Sequence, residues 1–353
     1  MPLNPLTRKR LKRFRSIRRG FWSLIILCVL FLLSLVSELW ISNRALIVHY
    51  GGKTWFPSYG SIIPGSTFGE DYQYETDYRA LKDRFAREDK GNWVLMPLIP
   101  WDPQDSDFRP GITHPQPPNA SHRHWLGTDL TGRDVFARMV YGFRNVFLFS
   151  LGYTLFVFMV AIVLGCLMGY LGGITDLLGQ RVVEIWSNIP FLYIVMISIS
   201  LVPADVTTGW RIGLLMAIMV IFDWTNKASY MRTATLKEKS RDYVAAARLS
   251  GAGSMRLIFK HIVPNTVSTL VTFLPFTVAG GISALTALDF LNFGLPRPTP
   301  SWGELLETGL ANQDSPWIVL SAFGGLVTVL LLVTFVGEAV REAYDPRKFT
   351  TYR

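Results

Sequence analysis

Asp242-Tyr243-Val244-Ala245-Ala246-Ala247-Arg248-Leu249-Ser250-Gly251, then Ala252-Gly253-Ser254 and, further on, His261-Ile262-Val263-Pro264-Asn265, lies between two apolar runs at 210–230 and 266–290. Ser240 is placed to cap a helix, Asp242 suits the positive end of its dipole, and the alanine run has high helix propensity. Gly251 permits the left-handed turn that ends this helix. Ser254 is placed to cap a second helix with Met255, Ile258, Phe259 and Ile262 in one apolar stripe, and Pro264 to end it. The stretch reads as a compact helical elbow held just outside a bilayer. Such an elbow offers a soluble partner a handle.

The composition agrees. Of 353 residues, 50% are hydrophobic and 17% charged, and the mean hydropathy is +0.27. Several apolar runs exceed the ~18 residues that mark a membrane span, about 30 Å of hydrocarbon at roughly 1.5 Å per residue. Six spans are expected at about 21–41, 145–171, 184–203, 210–230, 266–290 and 317–337. The net charge of +9 could suggest nucleic acid, but the basic residues flank apolar segments, as membrane orientation requires. Eight Lys or Arg and no acid in the first 20 positions place the N-terminus in the cytoplasm. Parity then puts 231–265 inside, and its seven Lys/Arg against Glu238 and Asp242 agree. The run 21–41 is too long for a signal-peptide core and is followed by no cleavage pattern, so it is read as a retained span ending in the interface anchor Trp40. Cys28 and Cys166 both fall in apolar runs and indicate neither a disulfide framework nor a zinc site.

The resulting organisation is a basic tail 1–20, a first span 21–41, an external insert 42–144, a membrane core 145–341 containing the loop 231–265, and a cytoplasmic tail 342–353. Within the insert, Thr76 is placed to cap a helix running through Lys90, with Tyr78, Leu81 and Phe85 on one face and Gly91 as its stop. The aromatic residues Trp55, Tyr59, Tyr72, Tyr74, Trp93 and Trp101 suit either the core of a small cap or a docking surface. From Gly132 to Phe143 the spacing of Phe136, Met139, Val140 and Phe143 predicts an interfacial amphipathic helix, preceded by turn chemistry at Gly127-Thr128-Asp129.

Chemistry on the chain itself is hard to find. Gly51-Gly52-Lys53-Thr54 lacks the upstream glycine of a phosphate-binding loop, because position 47 is Ile47, so it reads as a turn and nucleotide chemistry must come from another chain. His114, His122 and His124 are close in sequence but lack metal-site spacing. Asp223 and Asp289 fall in or near apolar spans, where a carboxylate is costly unless paired or wet. They allow an alternative, a proton-coupled secondary carrier. Read as interface residues, they line a wet pathway instead. Pro275 with Gly280-Gly281 predicts a kink in the fifth span.

At the elbow the chain resembles the permease subunits of binding-protein-dependent ABC importers, whose hallmark is Glu-Ala-Ala, three residues, Gly, nine residues and an Ile-x-Leu-Pro-like ending. Ala245-Ala246-Ala247 occupy the triplet, Gly251 the glycine and His261-Ile262-Val263-Pro264 the ending. Ala245 stands where Glu is usual and His261 where Ile is. The His-Ile-x-Pro-Asn form is similar to the dipeptide and oligopeptide branch, and so is the motif His124-Trp125-Leu126-Gly127-Thr128-Asp129-Leu130-Thr131-Gly132-Arg133-Asp134-Val135-Phe136. The insert 42–120 resembles the microcin C/peptide importer type.

The resemblance implies an all-α polytopic protein of the type I ABC importer-like permease class in a bacterial inner membrane, both termini cytoplasmic. It implies an ATPase-coupling set (Asp242, Ala245, Ala246, Ala247, Gly251, Ala252, Ser254), supported by His261, Pro264 and Asn265, and a periplasmic motif (Gly127, Thr128, Asp129, Gly132, Arg133, Asp134). Its implied partners are a second six-span permease, a cytoplasmic ATPase with two nucleotide-binding domains carrying ATP and Mg, a periplasmic solute-binding protein, a peptide and the lipid bilayer. It implies no nucleic-acid partner and no covalent catalysis on this chain.

Overall fold

The described part of the basic tail is helical. In the computed structural model, which describes residues 5–88, 91–109, 111–203 and 206–345 (backbone alone at 5, 6, 268 and 269), α1 (Pro5–Ser16) leads into α2 (Arg18–Leu35). The first apolar helix therefore stops at Leu35 rather than at 41. One 3₁₀ turn, Ser37–Leu39, follows, and the Trp40 indole donates back to the Leu33 carbonyl at 3.0 Å.

Residues 42–134 are not purely helical, which corrects the all-α expectation. Strands β1 (Ile47–Tyr50), β2 (Lys53–Trp55) and β3 (Trp93–Leu95) form an antiparallel sheet in the order β2-β1-β3, with Val48 opposite both Trp55 and Val94. Gly51 and Gly52, at φ 57° and 77°, supply the two left-handed residues of the hairpin turn. The resemblance to a phosphate loop there is a strand-to-strand connection. Helix α3 (Tyr78–Glu88) lays Tyr78, Leu81 and Phe85 on Val48, Phe68 and Val94, so the insert has its own core. Its cap is Asp77, whose Oδ1 accepts from the N–H groups of Arg79 and Ala80, while Thr76 is buried and donates to the Ile63 carbonyl. Lys90, the expected end of that helix, lies outside the described residues. Tyr59, Tyr74 and Trp93 are exposed, so only part of the aromatic set builds the core.

Asp134 then starts α4 (Val135–Leu171), its Oδ1 accepting from Ala137 N at 2.7 Å, and Gly172 ends it. These 37 residues contain no proline and span about 55 Å at ~1.5 Å per residue, well beyond the hydrocarbon layer. The separate interfacial helix expected at 132–143 does not exist. Nothing breaks the helix there, and its apolar face meets protein: Phe136 and Val140 pack with Trp40 and Ile41, Phe143 with Trp302.

The expected span 184–203 is two helices, α5 (Gly173–Ser187) and α6 (Phe191–Ser200), bent by 75°. Pro190 supplies no N–H and disfavours helical geometry at Ile189, which accounts for the bend. Residues 173–183, which lie between the expected spans 145–171 and 184–203, belong to α5, tied by Asp176 to Arg232.

Helix α7 (Thr208–Lys239) runs parallel to α4. An added Cβ at Gly165 would sit 2.5 Å from the Ala228 carbonyl oxygen, and one at Gly169 2.6 Å from that of Arg232. Two glycines four residues apart let the helix backbones touch, as small-residue spacing does in membranes.

After α7 come α8 (Asp242–Leu249), α9 (Ser254–Arg256), a π-helical segment (Leu257–Ile262), α10 (Val263–Leu270), α11 (Leu274–Phe290), α12 (Trp302–Ala311) and α13 (Pro316–Tyr344). The expected kink at Pro275 is a break at 271–273 immediately before it, whereas Gly280 and Gly281 lie in unbroken helix. Among the described residues four helices are long and apolar enough to cross a membrane (α2, α4, α7, α13), five if the bent pair counts as one, and α11 is a shorter apolar helix. Helix α2 packs on α13, where a Cβ on Gly20 would lie 2.1 Å from that of Ala339. Arg13 pairs with Glu342 at 3.6 Å, and Arg10 lies 4.4 Å above the Tyr344 ring. Of the expected tail 342–353, residues up to 344 complete α13, and 346–353 lie outside the described residues.

The glycine crossing is testable. Gly169→Leu is expected to destabilise the detergent-solubilised protein by about 1–3 kcal/mol through overpacking. Gly213→Leu, where a Cβ meets nothing within 4 Å, should leave the melting temperature unchanged.

Candidate functional site

The elbow is built where α7 ends. Ser240 does not cap α8; its hydroxyl donates to the Lys237 carbonyl, closing α7, and Arg241 takes the extended N-cap conformation. Helix propensity of Ala245–Ala247 carries α8 to Leu249, and the expected glycine stop is present in full. Gly251 sits at φ 80°, its N–H donates to Arg248 O at 3.0 Å, and Ala252 N–H donates to Ala247 O at 3.1 Å. These two bonds are the Schellman pair that satisfies the last carbonyls of a helix.

Ser254 is the first residue of the second arm rather than its cap, a place taken by the Gly253 backbone. Pro264 does not end this arm. A helix through proline loses one N–H donor and crowds the carbonyl four residues earlier, and here the turn before it widens, with Val263 N–H donating to Ile258 O five residues back. That extra residue per turn rotates the expected stripe. Leu257, Ile258 and Ile262 are buried, while Met255 and Phe259 are 64% and 52% exposed.

The buried face joins Val244, Cys166, Tyr170, Met231 and Leu270 in one cluster, with Ala247 and Ala252 at its edge. Polar ties brace it. Tyr243 OH donates to Glu238 Oε2 at 2.7 Å and accepts from Asn265 Nδ2 at 3.1 Å, and the same amide donates to His261 O at 2.8 Å. Burial, then the bond to Glu238, push the Tyr243 phenol up. Lys239 Nζ donates to the Tyr170 carbonyl at 2.6 Å, fixing the elbow to the end of α4. Glu238 is thus engaged within the elbow, while Asp242, Ala245, Ala246, Gly251 and Ser254 face outward. With them projects Leu249, 90% exposed, which the sequence reading missed. Tyr243 and Glu238 were also missed as a lock; only the i, i+5 spacing hinted at it.

The second motif sits at the opposite end of α4. Asp129 accepts from Thr131 N–H and hydroxyl, from Arg133 N–H and Nε, and from Arg138 at 3.1 Å. Arg138, 1% exposed, reaches past it to Glu304 on α12. Gly127 and Gly132 adopt φ 75° and 81°; a Cβ on Gly127 would meet the Gln116 carbonyl at 2.5 Å, and one on Gly132 the His114 ring at 2.9 Å. Thr128 accepts from Gln116 N–H, and its carbonyl accepts the Trp317 indole at 3.1 Å. The motif is a joint that gathers the insert, α4, α12 and α13.

The three histidines serve that joint. His124 is buried against the Trp101 ring, with Nδ1 2.7 Å from Asp134 Oδ2 and Nε2 3.4 Å from Asp107 Oδ2. His114 meets Thr128 at 3.0 Å and the Asp107 carbonyl at 2.6 Å, and His122 meets Arg109 at 2.6 Å. Burial opposes ionisation of Asp107, but bonds from Arg109, its charge and His124 outweigh that and hold the carboxyl at about 2. Its folded value lies below the unfolded one, so this clamp is complete above about pH 4 and lost only as pH falls towards 2. At Asp134 burial wins and pushes the carboxyl up. Among the described residues no group of three or more His, Cys, Asp or Glu is arranged to hold a metal. The two membrane carboxylates are engaged: Asp223 pairs with Lys227 and Tyr153, and Asp289 accepts Leu295 N–H at 2.6 Å.

Arg138→Met removes the fully buried one of the two arginines that bridge Asp129 and Glu304, leaving both carboxylates to the partly exposed Arg133. We expect a loss of about 3 kcal/mol, the low end for a broken buried ion pair, read as a lower melting temperature and as tryptic cleavage within 42–134 at concentrations that spare the wild type.

Residues 161–350 match the model of the binding-protein-dependent transport system inner membrane component family. Over 348 residues the chain is 40% identical to the inner membrane ABC transporter permease protein YejE of Escherichia coli, covering 98% of each. It is 37% identical over 369 residues to the peptidoglycan transport system permease protein YejE of Agrobacterium fabrum, covering 98% of this chain and 94% of that one. It is 32% identical over 230 residues to the oligopeptide transport system permease protein OppC of Lactococcus lactis, covering 64% and 76%. With the elbow and the motif joint at opposite ends of one long helix, this chain belongs to the family of binding-protein-dependent transport system inner membrane components, as a multi-pass ABC transporter permease.

Proposed function

We propose that this chain is one of two permease subunits of an ATP-driven peptide importer in a bacterial inner membrane, working with a cytoplasmic ATPase and a periplasmic solute-binding protein. The observation that carries the reading is the exposed, braced elbow: an outward surface of Ala245, Ala246 and Leu249 on a core that cannot yield without moving α4 and α7. A relative named an oligopeptide permease supports the substrate class. In this reading α5–α6 and α10–α11 each count as one span, giving six, with the core at 145–341 and both termini cytoplasmic. The positive-inside pattern of the tail and the elbow supports that orientation. The insert 42–144 is then the periplasmic cap, its motif joint setting where a binding protein docks.

ATP and Mg belong to the partner. When ATP draws two nucleotide-binding domains together, each elbow moves as a rigid lever in an ATPase groove and tilts its helices to open the pathway outward; hydrolysis resets it. Each state binds a different partner surface more tightly, which is what makes the exchange directional. Ala245 places a methyl group where the family hallmark has Glu, so the contact there is apolar and is shared with Leu249.

Gly251→Val tests the lever. A β-branched residue at φ 80° carries about 1–2 kcal/mol of strain, enough to misplace α8. Reconstituted complexes carrying it should still hydrolyse ATP while peptide uptake falls about tenfold. Wild-type uptake in this variant contradicts the lever.

A further inference from the structure

Two of the membrane segments are broken, α5–α6 before Phe191 and α10–α11 before Leu274, and both breaks border the same cavity of about 430 Å³. Irregular backbone at membrane depth survives only where it is buried in protein or lines a wet cavity. Phe191 and Phe222 line one side, Phe273 and Phe276 another, and Gly280 leaves open space where a side chain would stand. Into this apolar chamber α7 brings a carboxylate and an ammonium one turn apart, Asp223 and Lys227.

The charges are arranged asymmetrically. Lys227 Nζ and the Tyr153 hydroxyl both donate to Asp223 Oδ2. Oδ1 has no hydrogen-bond partner among the described residues, and Asp223 lines the cavity. A lone ion in this setting costs several kcal/mol, and a paired one far less. A ligand that carries one charge leaves an uncompensated ion behind; a ligand that carries both does not.

We propose that this cavity is a substrate subsite for short zwitterionic peptides. The free ammonium of the ligand binds Asp223 Oδ1, and its carboxylate takes over the Lys227 ammonium as the flexible lysine stem turns towards it. The ion pair opens and two new pairs close, so the chamber stays neutral throughout. The phenylalanine rings receive apolar side chains of any shape and, through their faces, favour the ammonium. The inference rests on the peptide-importer reading and adds where selection for unblocked termini takes place.

The test uses the reconstituted complex with its ATPase and binding protein, and three pools of randomised tripeptides: unmodified, N-acetylated and C-amidated. Uptake is read by mass spectrometry. The wild type should carry the unmodified pool about tenfold better than either blocked pool, the worth of one charge-assisted hydrogen bond. Asp223→Asn should abolish the discrimination against N-acetylation and keep that against amidation; Lys227→Met should do the reverse. A merely structural ion pair predicts equal losses for all three pools. Equal losses, or ratios unchanged from the wild type, overturn the assignment and put selection on the binding protein. If the wild type moves no pool on ATP, the importer reading itself falls.

A second measurement needs no variant. A tripeptide carrying a photoreactive benzophenone side chain should label the segment containing Phe222 or that containing Phe276 in the wild-type complex. Labelling confined to other segments overturns the proposal.

Discussion

The backbone contact between α4 and α7 at Gly165 and Gly169 is the constraint on which the rest depends. Between helices in lipid there is no hydrophobic gain to be had from association, so close packing of small residues must supply the attraction. The two glycines allow it, and the helices run parallel, with both C-terminal ends on one side. The elbow emerges from the end of α7 and is bound to the end of α4 through Lys239 and Tyr170. A displacement of the elbow therefore displaces two helices together. At the far end of α4, the same rigid rod carries the motif joint and the insert.

The protein treats charge differently at its two levels. At the joint, outside the hydrocarbon, Arg138, Asp129 and Glu304 are buried completely and bonded to one another and to backbone groups. Such a network, with Arg133 as a second bridge between the two carboxylates, fixes one geometry, since each partner removed leaves the others short of counter-charge. In the cavity, Asp223 and Lys227 are half-buried and keep one carboxylate oxygen without a hydrogen bond. The first arrangement suits anchorage and the second suits exchange.

Much of this was legible in the sequence where a residue's own chemistry dictates the outcome. Gly251 had to be left-handed, Tyr78, Leu81 and Phe85 had to share a face, and Gly51-Gly52 had to be a turn. What escaped depends on backbone events that no side-chain pattern announces. The widened turn before Pro264 moved Met255 and Phe259 from the expected buried stripe into the open. The caps assigned to Ser240, Ser254 and Thr76 each lie one residue from the position that caps the helix (Arg241, Gly253 and Asp77), because the competing bonds of these hydroxyls went to nearby carbonyls or the backbone alone sufficed. The helical face at Phe136 and Phe143 has the periodicity of a surface helix; only the tryptophans at 40 and 302, remote in sequence, show that protein covers it. Short strands such as Trp93–Leu95 lack the length to declare themselves.

In the proposed importer the elbow and the insert face opposite sides of the membrane, with the elbow against the ATPase. A cysteine in place of Leu249 or of Phe108, both exposed, in a Cys28→Ser background that keeps only the buried Cys166, reports on this directly through a membrane-impermeant maleimide. Phe108→Cys should be labelled in spheroplasts, and Leu249→Cys only in inverted vesicles stripped of the ATPase, with protection when the ATPase is restored. Labelling of both positions from the same side would contradict it.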